Sequence, residues 1–194
     1  MKITKAQAQA NRARIVETAS TLFRERGYDG VGVADIMAAA GFTHGGFYKH
    51  FGSKAALMAE AAACSFEQTA ARSEGVGIVD FVRLYVSRSH RDARSEGCTM
   101  AALGGDAARQ PDSIKATFEA GIESLIASFE KEWGALSAAD QREARANALS
   151  VLAHSVGALV LSRACPDDST LADGILKVCR ASLLAQLAPE PHEE

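Results

Sequence analysis

With 194 residues, the chain has room for one large helical domain or a small domain joined to a larger one, and 47% hydrophobic residues is ordinary for a soluble protein with a real core. A net charge of −3 speaks at first sight against a nucleic-acid partner, but residues 1–54 hold eight Lys and Arg against four acids, a balance of +4, which leaves 13 against 20 and −7 for the rest. Residues 1–10 lack the apolar core of a signal peptide, residues 148–161 are too short an apolar stretch to span a bilayer, and the four prolines, at 111, 166, 189 and 191, interrupt nothing earlier, so the expectation is an all-α, cytoplasmic protein without a membrane partner.

In chain order, residues 1–10 read as a polar arm in which Lys2 and Lys5, with Arg12 and Arg14 beyond, either touch backbone phosphates or lie solvated. The densest signal comes next, over 33–52. Val33, Ile36, Met37 and Ala40 recur at helical intervals and give one helix an apolar face. Gly41 supplies the freedom a helix exit needs, and Phe42 packs back as a turn anchor. Thr43 is a good N-cap for a second helix over 44–50. On that helix Phe47 and Phe51, four apart, point inward, which leaves Thr43, His44, Gly45, Tyr48 and Lys49 on the open side. Gly45 and Gly46 cost a helix about 0.8–1 kcal/mol each relative to Ala, a cost without structural return unless the backbone approaches something closely. A helix-turn-helix presses such a surface into the major groove. The plainer alternative is a loop with incidental glycines. Ser53 can then cap the next helix, whose free N–H groups and dipole, together with Lys54, attract an anion.

A helix over 53–72 leads into the acidic remainder. Ile78, Val82, Tyr85 and Val86 mark another, ended by the polar run 87–97, and Met100, Ala101 and Leu103 a short one loosened by Gly104 and Gly105. Ile114, Phe118, Ile122, Leu125, Phe129 and Trp133 stripe a long helix whose other side, Lys115, Glu119, Glu123 and Glu130, faces water. Ser137 with Asp140 resembles a capping box for the next helix. Leu149, Val151, Leu152, Val156, Leu159, Val160 and Leu161 nearly encircle that helix. After Pro166, the last stripe is Leu171, Ile175, Val178, Leu183 and Leu187, flanked by Leu176 and Leu184. Apolar faces in such excess suggest pairing with a second copy, and Ala148, Ala153, Ser155, Gly157 and Ala158 permit close approach. Residues 189–194 read as a frayed polar tail.

Cysteines 64, 98, 165 and 179 show no Cys-x-x-Cys spacing and no His partners at ligand distance, so neither zinc nor disulfides are expected. Cys98 stands apart: it follows Gly97 at a helix start with Arg91 and Arg94 nearby, a setting that lowers a thiol pKa and suits a redox or electrophile sensor as well as a structural cysteine. No nucleophile–base spacing, phosphate-binding glycine loop or metal cluster appears. The expectation is therefore not an enzyme, with no cofactor and no metal.

Three runs are specific in combination: Ala40-Gly41-Phe42-Thr43, then Phe47-Tyr48-Lys49-His50-Phe51, then Ser53-Lys54 with Leu57. With Ile15, Ala19, Leu22, Phe23 and Gly27-Tyr28 upstream, the stretch from Asn11 to Ala71 resembles the DNA-binding domain of the TetR/AcrR family of bacterial transcriptional regulators. The resemblance implies a three-helix DNA-binding domain over 11–71 after an arm over 1–10, and a larger helical ligand-binding and dimerisation domain over 72–188. It further implies that Thr43, His44 and Gly45 face base edges, with His44 the variable reader, and that Tyr48, His50 and Lys54 meet phosphates. Two departures stand out: Val31-Gly32 replaces the usual Thr or Ser cap of the second helix, and Ala34 sits where a polar phosphate contact is frequent. By the same resemblance the partners are a palindromic duplex operator, a second copy joined through the last two long helices, and a small-molecule effector. Phe81, Tyr85, Met100, Phe118, Ile122, Val151 and His154 could line the effector's cavity or simply be packed core. The function so implied is a dimeric repressor released from its operator by that effector. A Cys98-based sensor, or an interaction protein of the same fold that has lost DNA binding, is the alternative.

Overall fold

The computed structural model describes residues 4–136 and 140–188. The expectations for Lys2, for Ser137 as a cap and for the tail over 189–194 lie outside the described residues. Every regular element among the described residues is helical: α1 (Lys5–Arg26), α2 (Val33–Ala39), a 3-10 turn (His44–Lys49), α3 (Lys54–Ser73), α4 (Ile78–Tyr85), α5 (Arg88–Asp92), α6 (Thr99–Ala107), α7 (Asp112–Leu136), α8 (Gln141–Arg163) and α9 (Thr170–Gln186). The chain divides into two compact units, one of residues 1–72 and 94–122, the other of residues 73–93 and 123–194.

In the first unit α1 starts earlier than the expected arm allows. The Thr4 hydroxyl accepts the Gln7 N–H at 3.2 Å and caps the helix, so Lys5 and its successors are helical. Ile15, Ala19 and Phe23 of α1, Ile36 and Met37 of α2, and Leu57, Met58 and Ala61 of α3 are buried together with Leu103 and Ile114. The missing Thr or Ser before α2 is offset from the other side: the Asp35 carboxylate accepts the Gly32 N–H at 3.0 Å, the half of a capping box that a glycine leaves possible. Gly41 leaves α2 at φ 81°, the left-handed exit its position calls for. The buried Arg24 has hydroxyl and carbonyl partners, donating to Ser20 Oγ, Ser65 Oγ and the Ser95 carbonyl, and desolvation lowers its pKa.

In the second unit Phe81 packs on Tyr85, with ring centroids 4.9 Å apart, and on Phe129 at 4.7 Å. The polar run 87–97, expected to be irregular, contains α5, because the Ser87 hydroxyl caps it through the His90 N–H at 3.2 Å. α5 is bound to the end of α8 and the loop after it: Arg163 donates to the carbonyls of His90 and Arg91, and Arg91 to that of Asp167. Asp140 is itself the N-cap of α8, accepting the N–H groups of Arg142 and Glu143 at 2.9 Å each, rather than the third residue of a box begun at Ser137. Glu123 and Glu130 of α7 are not merely solvated, since Arg145 of α8 donates to both, at 2.8 and 3.2 Å.

α8 and α9 pack on each other, with the Ser162 hydroxyl of α8 donating to the Ala172 carbonyl of α9 at 3.1 Å; the buried residues are Ala144, Ala148, Val151, Leu152, Ser155, Ala158, Leu159 and Ser162 on α8 and Ala172, Leu176 and Leu183 on α9. Of the stripe expected on α9, Leu183 and the flanking Leu176 are buried. Two apolar rows run side by side on this helix, and the row carrying the small Ala172 fits against α8, while the bulkier Leu171 and Val178 stay 65% and 67% exposed. Leu149, Val160 and Leu161 of α8 are exposed as well. α8 as a whole runs 23 residues with a stretch of mean hydropathy 1.3, long and apolar enough to cross a membrane by length and composition, a test that the core helix of a soluble protein also meets. The exposed aliphatic residues Leu149 and Val160 of α8 lie eleven residues apart and Leu171 and Val178 of α9 seven apart, spacings that return to the same face of a helix.

Candidate nucleic-acid interface

The recognition segment is a 3-10 turn over His44–Lys49, not the α-helix expected over 44–50. The Gly46 N–H donates to the Thr43 carbonyl at 2.9 Å and the His50 N–H to the Phe47 carbonyl at 2.8 Å, the tighter three-residue spacing. Adjacent glycines with their poor helix propensity make that winding accessible. Thr43 occupies the N-cap position with extended backbone, yet its hydroxyl makes no capping bond, so it is not the side-chain cap expected.

The amphipathic division nonetheless holds. Phe47 and Phe51 are buried, their rings 5.5 Å apart and stacked. Burying two phenylalanines contributes about 1.5–3 kcal/mol each. Thr43, His44, Gly45 and Lys49 are exposed, Tyr48 is 71% exposed and His50 is half-buried. A side chain built on Gly45 would meet nothing within 4 Å, and one on Gly46 only ordinary contacts, 3.5 Å from Met37 Cε and 3.7 Å from Thr43 Oγ1. Internal packing thus does not require either glycine. What remains is a face of small, aromatic and basic groups with bare backbone at its centre.

The flanking cations are placed differently from expectation. Ser53 caps α3 through the Ala56 N–H at 3.1 Å, as its position suggests. Lys54, however, reaches back, and its Nζ donates to the Tyr28 carbonyl at 2.6 Å. The Tyr28 N–H is held too, by the Asp106 carboxylate of α6 at 2.9 Å, so both backbone polar groups of this residue, between α1 and α2, are fixed. Burial, with Asp106 adding, pushes the Tyr28 phenol well above its usual range. Arg12 lies not in a free arm but over the Phe51 ring, at 4.2 Å from its centroid, with an ion pair to Glu60 and a 2.9 Å bond to the His50 carbonyl. Arg14 stands 5.9 Å from the Phe42 ring. Asp35, Glu60 and Asp106 went unread in the sequence; only Asp35, three residues past Gly32, carries a local signal.

The ligand candidates fall in both units. Met100, Phe118 and the half-buried Ile122 belong to the first, where Phe118 meets Phe66 edge-on at 5.4 Å. Phe81, Tyr85, Val151 and the half-buried His154 belong to the second, and of these Phe81 and Tyr85 are in ring contact. A niche in the first unit, lined by Ser20, Phe23, Tyr28, Ala61, Ala62, Thr99 and Leu103, includes none of them and is too small for a water molecule. Cys98 is 5% exposed, poor access for a reactive thiol, and burial with Glu17 and Glu67 pushes the Cys64 thiol up against the opposing pull of Arg24. No group of three or more metal-binding side chains occurs among the described residues.

The family model described as bacterial regulatory proteins, tetR family, matches residues 15–61. An uncharacterized HTH-type transcriptional regulator of Mycobacterium tuberculosis is 30% identical over 194 aligned positions, covering 92% of this chain and 97% of the relative. The HTH-type transcriptional repressor DhaR of Mycobacterium sp. is 51% identical over 46 residues, 24% of this chain and 23% of DhaR. The chain spans about a quarter of the length of the curated relatives it matches at such higher identity. Among solved structures, a TetR transcriptional regulator from Chloroflexus aurantiacus superposes with a TM-score of 0.75 at 24% identity, covering 94% of this chain and 96% of that one, a likeness of fold.

Proposed function

From the premise that this chain belongs to the tetR family of bacterial regulatory proteins, DNA-binding regulators of transcription, we propose that it is a homodimeric repressor that leaves a palindromic operator when a small-molecule effector binds. The observation that carries the reading is the recognition segment: two buried phenylalanines anchor a turn whose outer face is Thr43, His44, Gly45, Tyr48 and Lys49. The +4 balance of residues 1–54 supports an approach to phosphate, and DhaR, alike over 46 residues, is named a repressor.

In this reading Thr43, His44 and the Gly45 backbone meet base edges, and Tyr48, Lys49 and His50 meet phosphates and sugars. Lys54 serves first as a strut to Tyr28, and its remaining N–H donors face a phosphate only secondarily. The uncovered aliphatic row of α8 and α9 is the dimer face, and two-fold symmetry then sets the recognition turns about 34–36 Å apart or a multiple of it. Effector action is a population shift toward a pair whose turns no longer match that spacing, and differential affinity sets its size. The protein works in the cytoplasm, where its operator is.

The test is a selection of duplexes from a random-sequence pool, followed by titration at several salt concentrations. Wild type selects an inverted repeat, and its affinity falls steeply with salt. Tyr48→Ala weakens binding to every duplex with an unchanged melting temperature, whereas His44→Ala relaxes preference at one position by about 1–3 kcal/mol. Recovery of no sequence at all by the wild-type chain overturns the reading.

A further inference from the structure

The recognition turn has little stiffness of its own. Six residues is long for a 3-10 turn, and two of the six are adjacent glycines. Its carboxyl end nonetheless has a defined place, because three features of one side chain converge there. Arg12 of α1 donates through one terminal nitrogen to the His50 carbonyl at 2.9 Å, the acceptor just past the last turn. Its other terminal nitrogen pairs with the Glu60 carboxylate of α3, and its flat face covers the Phe51 ring at 4.2 Å. One planar cation thereby joins α1, the end of the turn and α3. Both terminal nitrogens and one face of the guanidinium are thus engaged by the protein itself.

We propose that Arg12, held by Glu60, is a positioning residue that fixes the carboxyl end of the recognition turn and so sets sequence selectivity without itself contacting DNA. The inference rests on the DNA-binding reading above, and the two fail separately in the following experiment. Wild type, Arg12→Lys and Glu60→Gln are compared in two ways. The first is amide hydrogen exchange over 44–51 in the full-length chain without DNA. The second is titration, across salt, of the duplex that wild type selects from a random pool and of an unrelated duplex.

The brace gives faster exchange over 44–51 in both variants, with α8 and α9 unchanged. Affinity for the selected duplex falls about tenfold for Arg12→Lys, because an ammonium keeps the charge but lacks the rigid planar fork that spans both acceptors and the flat face that covers Phe51. Glu60→Gln also loses affinity, several-fold, although it removes a negative charge that by electrostatics alone opposes binding. Neither variant changes the salt slope or the affinity for the unrelated duplex. A phosphate contact predicts the reverse for Glu60→Gln, with equal or tighter binding. That result, or exchange over 44–51 at the wild-type rate, overturns the proposal. If wild type selects no duplex, the DNA-binding reading falls, and the exchange measurement still decides whether Arg12 braces the turn.

Discussion

Gly45 sits at the centre of the exposed face with open space where a side chain would be. Replacing it therefore separates the demands of folding from those of recognition. Gly45→Ala leaves the melting temperature unchanged or slightly raised, since Ala favours helical backbone by up to about 1 kcal/mol. It nevertheless weakens operator binding tenfold or more, because the methyl holds the backbone off the bases; unaltered affinity in a gel shift rules out the close approach. The exposure of Thr43, His44, Tyr48 and Lys49 was legible in the sequence, because Phe47 and Phe51 mark the opposite side whether the turn winds as α or 3-10. Arg12 was not legible. Its partners lie 38 and 48 residues away, and a basic residue early in such a chain looks equally suited to a phosphate.

At the scale of elements, short α5 shows how one side chain ties a turn to its surroundings and what acid does to it. His90 Nδ1 lies 2.8 Å from the Tyr85 carbonyl, which can only accept, so the ring donates from that nitrogen. Burial lowers the His90 pKa, the bond to Tyr85 opposes that, and Arg163 adds to the lowering. The unfolded chain then binds the proton more readily than the folded one. The stabilisation is fully present above the unfolded value of about 6.5 and is lost as pH falls from there through the lower folded value. Wild type accordingly melts at falling temperature as pH drops below about 6.5, and His90→Asn, which keeps a donor, shows a shallower decline; equal slopes in calorimetry remove His90 from the account. Elements read from periodicity largely survive in outline: α2, α4, α6, α7 and α8 fall where apolar spacing put them. The stripe read on α9 is buried only at Leu183 and flanking Leu176, with Leu171 and Val178 left exposed, and α5 hid in a polar run because its cap, not its hydrophobicity, starts it.

Over the whole molecule, a basic first quarter belongs to a chain that is acidic thereafter, and the aliphatic row on α8 and α9 is the part that a second copy would cover. Val178→Glu, placing a charge in that row, turns a dimer into a monomer in analytical ultracentrifugation and lowers operator affinity at least a hundredfold, while the isolated chain keeps its helical circular dichroism. A Val178→Glu chain that sediments as a dimer moves the interface elsewhere. If a second copy covers that greasy flank, as proposed, robustness depends on abundance. For a pair that separates as it unfolds, each tenfold dilution removes about 1.4 kcal/mol per pair. Scarce molecules in a growing, dividing cell would then melt at a lower temperature than abundant ones, and where most copies are single, occupancy of the target gene by the proposed pair would follow the square of copy number rather than copy number itself.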